Sequence, residues 1–146
     1  MARYMSRVTL GVGQTVNPTS PTGETYDIAA NTVNVDGPNV TKSMSDATTM
    51  EDDVMVYLSD VPDAGAYVIS GYMDSDDTAL AAMEGDADLQ ARRRFFQLTQ
   101  TDPSDDSTIR TVTVLGEVQE FSISNPRGDK WSFSASVKLS GLPARA

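Results

Sequence analysis

Hydrophobic and polar positions alternate most cleanly near the end of the chain. Trp131, Phe133, Ala135, Val137 and Leu139 interleave with Ser132, Ser134, Ser136, Lys138 and Ser140. This period of two predicts a strand with one apolar face and one face of small polar groups. Gly141 and Pro143 are expected to end it. Upstream, Thr108 to Ser124 is rich in Val, Ile, Thr and Phe, with Val112, Val114 and Val118 in one phase and Phe121 and Ile123 in the other. A phase switch between Gly116 and Glu120 predicts a β-bulge, or one long strand whose halves bury opposite faces. Asn125-Pro-Arg-Gly-Asp129 has the composition of a turn joining these strands as a hairpin.

Further strands are predicted at Arg93–Thr101, around Phe95 and Phe96, and at Tyr67–Met73. Shorter ones are expected at Arg3–Val12, Asn31–Asp36 and Asn39–Ser45, the last two joined across Asp36-Gly37-Pro38. One helix is predicted over Thr78–Glu84, N-capped by Asp76 or Asp77. Ala79, Leu80, Met83 and Ala87 share its face, and Gly85 ends or interrupts it. Strands, one helix, then three more strands predict a mainly β protein: an antiparallel β-sandwich or barrel with one flanking α-helix. About 13–30 and 46–66 read as long loops. The apolar run Val54-Met-Val-Tyr-Leu58 within the second is expected to lie against something.

The length, 146 residues, suits a single domain spanning the chain. The absence of Cys and His excludes disulfides, thiolate nucleophiles, Cys/His zinc sites and a Ser-His-Asp triad. No apolar run is long enough to span a bilayer, and no secretory leader is read at the start. The charge sharpens the picture more. The formal net charge is −10, yet Ser43–Ala91 carries 12 acids and no Lys or Arg, while the remainder sums to +2. Arg92, Arg93 and Arg94 follow at once. This balance argues against a tight grip on nucleic acid, and the polarity suits head-to-tail contact between copies, with Asp52 and Asp53 as acidic partners for the arginines.

The recognisable short motifs dissolve on inspection. Asp74-Ser-Asp-Asp-Thr78 lacks the Gly and the bidentate acid of a calcium loop and fits a strand-to-helix turn. Arg127-Gly-Asp129 sits where a hairpin needs its turn. Gly11-Val-Gly13 lacks the rest of a dinucleotide loop. Paired carboxylates for glycoside hydrolysis have no accompanying aromatic sugar platform. The chain reads as a non-enzyme without cofactor or metal.

The order of several features carries a resemblance. Asp46-Ala-Thr-Thr-Met-Glu-Asp-Asp53 is followed by Asp60-Val-Pro-Asp-Ala-Gly65 and by Val68-Ile-Ser-Gly-Tyr72 leading into the helix. Arg93-Arg-Phe-Phe-Gln97 comes next, and Gly128-Asp-Lys-Trp-Ser-Phe-Ser-Ala-Ser-Val-Lys-Leu-Ser-Gly141 closes the series. From about Lys42 to Gly141 the chain resembles the major tail, or tail tube, proteins of long-tailed non-contractile bacteriophages. The resemblance implies a virion protein, assembled in the bacterial host cytoplasm. Its hexameric rings would stack into a tube around a tape-measure protein, end in tail-tip and terminator proteins, and let DNA through in transit. Met50, Val54, Met55, Tyr57 and Leu58 are then candidates for contact between rings. Glu117, Glu120, Ser122, Ser124, Ser132, Ser134 and Ser136 are candidates for a lumen face that ignores or repels phosphate. The competing readings are an acidic monomeric β-module binding a cation or carbohydrate, and a tube protein of a contractile injection or secretion system.

Overall fold

A computed structural model describes residues 7–51, 53–59, 62–74 and 76–145. Among the described residues, nine strands and one helix run in the order β1 (Arg7–Gly13), β2 (Tyr26–Ile28), β3 (Thr32–Asp36), β4 (Met44–Asp46), β5 (Tyr57–Ser59), β6 (Ala66–Tyr72), α1 (Thr78–Ala87), β7 (Arg93–Thr101), β8 (Thr108–Ser124) and β9 (Ser132–Arg145). Seven strands form one sheet in the order β2-β1-β7-β8-β9-β6-β3, and every neighbouring pair is antiparallel. The sheet curls until β1 approaches β3, and α1 packs against β8 and β2. The mainly β, antiparallel, barrel-like expectation with one helix is met. Among the described residues, no helix is long and apolar enough to cross a membrane.

The core follows the alternation. Val137, Phe133, Ala135 and Leu139 of β9 are buried, with Leu10, Val12, Tyr67, Ile69, Phe96, Val114 and Val118 from neighbouring strands. Leu80 and Met83 close the core from the helix. Asp77 is its N-cap, its carboxylate accepting from the Ala79 amide at 3.0 Å. Gly85 does not end the helix, which continues to Ala87.

The phase switch in β8 is a bulge. Val118 pairs with Val137 and Glu120 with Ser136, so Gln119 is the extra residue. Phe121 and Ile123 pair with Ala135 and Phe133, which places them on the same face as Val118. Phe121 stacks on Phe133, with ring centroids 5.7 Å apart. The two halves of β8 therefore turn one face to the core, not opposite faces.

Five expectations are corrected. β9 does not stop at Gly141 but continues to Arg145. Leu115 pairs with Ser140 and Thr113 with Ala144, so the extra residues of β9 bulge out between two ladder segments. Gly141 adopts φ +81° there. The predicted Asn31–Ser45 hairpin does not form: β3 pairs with β6, and β4 pairs with β5. The first long loop contains β2, which pairs with the end of β1. The second contains β5. Trp131 lies before β9 and is 55% exposed, not part of the core face.

Candidate functional site

The small-polar face is built by register. Glu117 pairs with Lys138, Glu120 with Ser136, Ser122 with Ser134 and Ser124 with Ser132. Directly opposed residues of an antiparallel ladder share a face. The seven lumen-face candidates are thus all on the side opposite the core, and the Gln119 bulge is what aligns Glu117 with Glu120 despite their odd separation. The Ser122 hydroxyl donates to the Ser134 carbonyl at 3.3 Å. Across β7 the same face continues as Gln97 and Thr99, opposed by Thr113 and Thr111.

Its charge is more mixed than an acidic lining. Arg93 pairs with Glu117 across β7 and β8, so one row reads Arg93, Glu117, Lys138. Lys138 Nζ also lies 3.6 Å from Asp63 Oδ1. Glu117 sits between two cations, and Glu120 is the acid of the set that no cation opposes in the ladder.

The segment around β4 and β5 forms a separate two-stranded arm. Paired amides and carbonyls of Thr41 and Asp63 tie its root, at 2.8 and 2.6 Å. The Asp63 carboxylate accepts from the Gly65 amide at 2.9 Å. That bond, with the nearby Lys138 ammonium, holds the Asp63 carboxyl below its ordinary value. Further out, Thr48 folds the tip: its amide donates to Asp46, and its hydroxyl accepts from the Val56 amide at 2.8 Å. The Thr48 hydrogen bonds hold the Asp46 carboxyl low as well.

All five inter-ring candidates lie on this arm, from half-exposed Tyr57 to fully exposed Met50, with Val54, Met55 and Leu58 between. Met44 and Val56 are exposed beside them. The arm does not cover its apolar residues with the body of the subunit. An apolar patch of this kind marks a surface for interaction.

The three arginines part company. Arg93 is exposed, its amide donating to Asn17 Oδ1 at 3.0 Å. The Arg92 amide donates to Glu117 Oε1 at 3.3 Å. Arg94 faces inward: Nε donates to Asp86 Oδ2 at 2.5 Å, and Nη1 to the carbonyls of Gly13 and Gln14. Its expected place in a contact between subunits is therefore corrected to an internal strut, because a guanidinium already held by a buried carboxylate is not offered to a neighbour. Asp53 is exposed on the arm, and Asp52 lies outside the described residues.

Asp86 itself escapes sequence reasoning. Its one signal is its position three residues after Met83, on the apolar face of the helix. Among the described residues, no cluster of three or more acidic side chains could hold a metal ion.

No family model matches the sequence, and no curated protein matches it. Solved structures do match the fold. A chain of the SPP1 tail tube has a TM-score of 0.65 at 9% identity, covering 94% of this chain and 75% of that one. A chain of the PVC sheath–tube complex, from an extracellular contractile injection system, has 0.69 at 10%, covering 96% and 88%. A chain from the tail of an empty GTA particle has 0.62 at 11%, covering 95% of each. At such identities the likeness is one of fold, and the fold of this chain is that of tail tube and tube-related proteins.

Proposed function

We propose that this chain is the structural subunit of a phage tail tube. Copies join into rings, six to a ring, and the rings stack into a hollow tube around a tape-measure protein. Terminator and tip proteins close its ends, and DNA later passes through it. The protein is assembled in the host cytoplasm and ends in the virion. It catalyses nothing. The observation that carries this reading is the arm at residues 41–63, which exposes apolar side chains on a subunit whose own core is already closed. Such a surface calls for a second copy. The Ser/Thr face of β7, β8 and β9 supports it further, since groups that neither attract nor strongly repel phosphate suit a conduit.

Negative-stain microscopy of concentrated protein, with sedimentation velocity over a dilution series, tests the proposal. Six-fold rings or hollow tubes are expected. A folded monomer at every concentration, whose melting temperature rises with a divalent cation or an oligosaccharide, would instead establish the ligand-binding module.

A second reading has a specific observation behind it, because the likeness of fold extends to contractile injection systems as fully as to the SPP1 tail tube. Tubes that bind a sheath protein encoded beside this chain would decide for that reading.

A further inference from the structure

At the end of the curled sheet opposite the β8–β9 turn, several strand ends converge around an open trough of about 490 Å³. Val8, Leu98 and Val112 give it an apolar floor, and Arg110, Arg145 and Gly37 stand on its rim. Val8 is about half exposed. Arg110 and Arg145 are exposed, and among the described residues neither makes a salt bridge. Tyr67 lies beneath Gly37: a Cβ on that glycine would stand 3.2 Å from Tyr67 Cδ1. The Tyr67 side chain is fully buried, and among the described residues its hydroxyl has no hydrogen-bond partner.

The arm has the complementary chemistry. Its apolar residues Val54, Met55 and Leu58 are accompanied by Glu51 and Asp53, and it contains no Lys or Arg beyond Lys42. From the Thr41–Asp63 bridge to Met50 it can reach up to about 30 Å at the rise of an extended strand.

We infer that the trough lined by Val8, Leu98 and Val112 and flanked by Arg110 and Arg145 is the receptor for the acidic, apolar arm of a second copy of this chain. The inference rests on the tube reading and adds to it the surface that receives the arm. Apolar side chains fill the floor, and the arm carboxylates meet the two guanidiniums. Each copy gives one arm and receives another, so the contact is heterologous and propagates.

The chain has no cysteine, which makes a direct test clean. Full-length Val8→Cys and Val54→Cys proteins, distinguishable by tag size, are mixed under assembly conditions and oxidised. Covalent heterodimers as the main product are expected, and their absence from normally formed tubes overturns the inference. A Val8→Cys/Val54→Cys chain that closes on itself as a monomer also overturns it, because the arm then fills its own trough.

Charge reversal gives a second measurement. Arg110→Glu/Arg145→Glu should raise the concentration needed for assembly at least about tenfold while far-UV circular dichroism stays that of wild type. Adding Glu51→Lys/Asp53→Lys in the same chain should restore assembly. Normal assembly of the arginine variant, or no rescue by the arm variant, counts against the pairing. Failure of the wild-type chain to assemble at all would instead remove the tube reading itself.

Discussion

Arg94 and Asp86 meet at 2.5 Å with side chains 12% and 4% exposed, joining the last turn of the helix to the second residue of β7. A carboxylate in the last turn of a helix faces the negative end of its dipole. The guanidinium offsets that and also satisfies the carbonyls of Gly13 and Gln14, so one side chain clamps helix, β1 and β7 together.

Removing one partner from such a pair leaves a buried charge alone, which costs about 3–5 kcal/mol. Arg94→Ala should destabilise the subunit by about that amount in urea unfolding. Asp86→Ala should cost less, because Arg94 keeps its two carbonyl acceptors. Equal losses in the two variants would show that the clamp to the strands contributes little.

The arm should behave in the opposite manner. Replacing Met50, Val54, Met55, Tyr57 and Leu58 together by Ser should leave the melting temperature of the monomer close to wild type, since exposed substitutions usually change stability by less than about 0.5 kcal/mol each. The same variant should fail to polymerise. Tubes at normal yield would remove the arm from assembly.

Gly71 is expected to be intolerant for a local reason. A Cβ there would lie 2.3 Å from the Asn31 carbonyl oxygen and 2.8 Å from Thr32 Cα, where the β3–β6 register shifts. Because the obstacle is backbone, Gly71→Ala should cost about 1–3 kcal/mol. Gly85→Ala, with open space around the added methyl, should instead stabilise the helix by up to about 1 kcal/mol. Thermal melts of the two variants make the comparison.

Acid should loosen the root of the arm. Asp63 has its pKa lowered in the folded chain by the Gly65 amide and by Lys138. Its contribution is therefore fully present above the unfolded value of about 3.9 and is lost as pH falls through the lower folded value. Amide exchange, corrected for intrinsic rates, should quicken at Thr41 and Gly65 as pH drops through that range. In Asp63→Asn the same amides should exchange faster at neutral pH and respond little to acid. An unchanged acid response in that variant would assign the loosening to other carboxylates, Asp46 first.

Long strands and the helix are legible in the sequence because each carries enough period for burial to choose a face. β9 and the two phases of β8 are of this kind, and the Gln119 bulge follows from reading them together. Short elements are not. Tyr26–Ile28 is three residues with no buried side chain, and its pairing is set by β1 rather than by its own composition. Gly37-Pro38 reads locally as a hairpin turn, but the tertiary preference of β3 for β6 overrides it. Gly141 and Pro143 stop a strand in isolation, whereas a bulge lets them pass within a ladder already held on both sides. Of the candidate surfaces, the serine face was legible from alternation alone. The inward turn of Arg94 was not, since its partner lies on a helix and its acceptors lie some eighty residues away.

The single added residue at Gln119 makes the faces of β8 depend on that residue staying out of the ladder. Deleting it would leave Val118 and Glu120 as consecutive partners of Val137 and Ser136, a regular ladder with every face unchanged. If Gln119 were instead drawn into the ladder as a paired residue, every side chain beyond it would exchange sides, sending Ser122 and Ser124 into the core and turning Phe121 and Ile123 outward. The hydroxyl surface of this protein is thus kept in frame by one irregularity, and closing the bulge without removing its residue would act as a frameshift written in space.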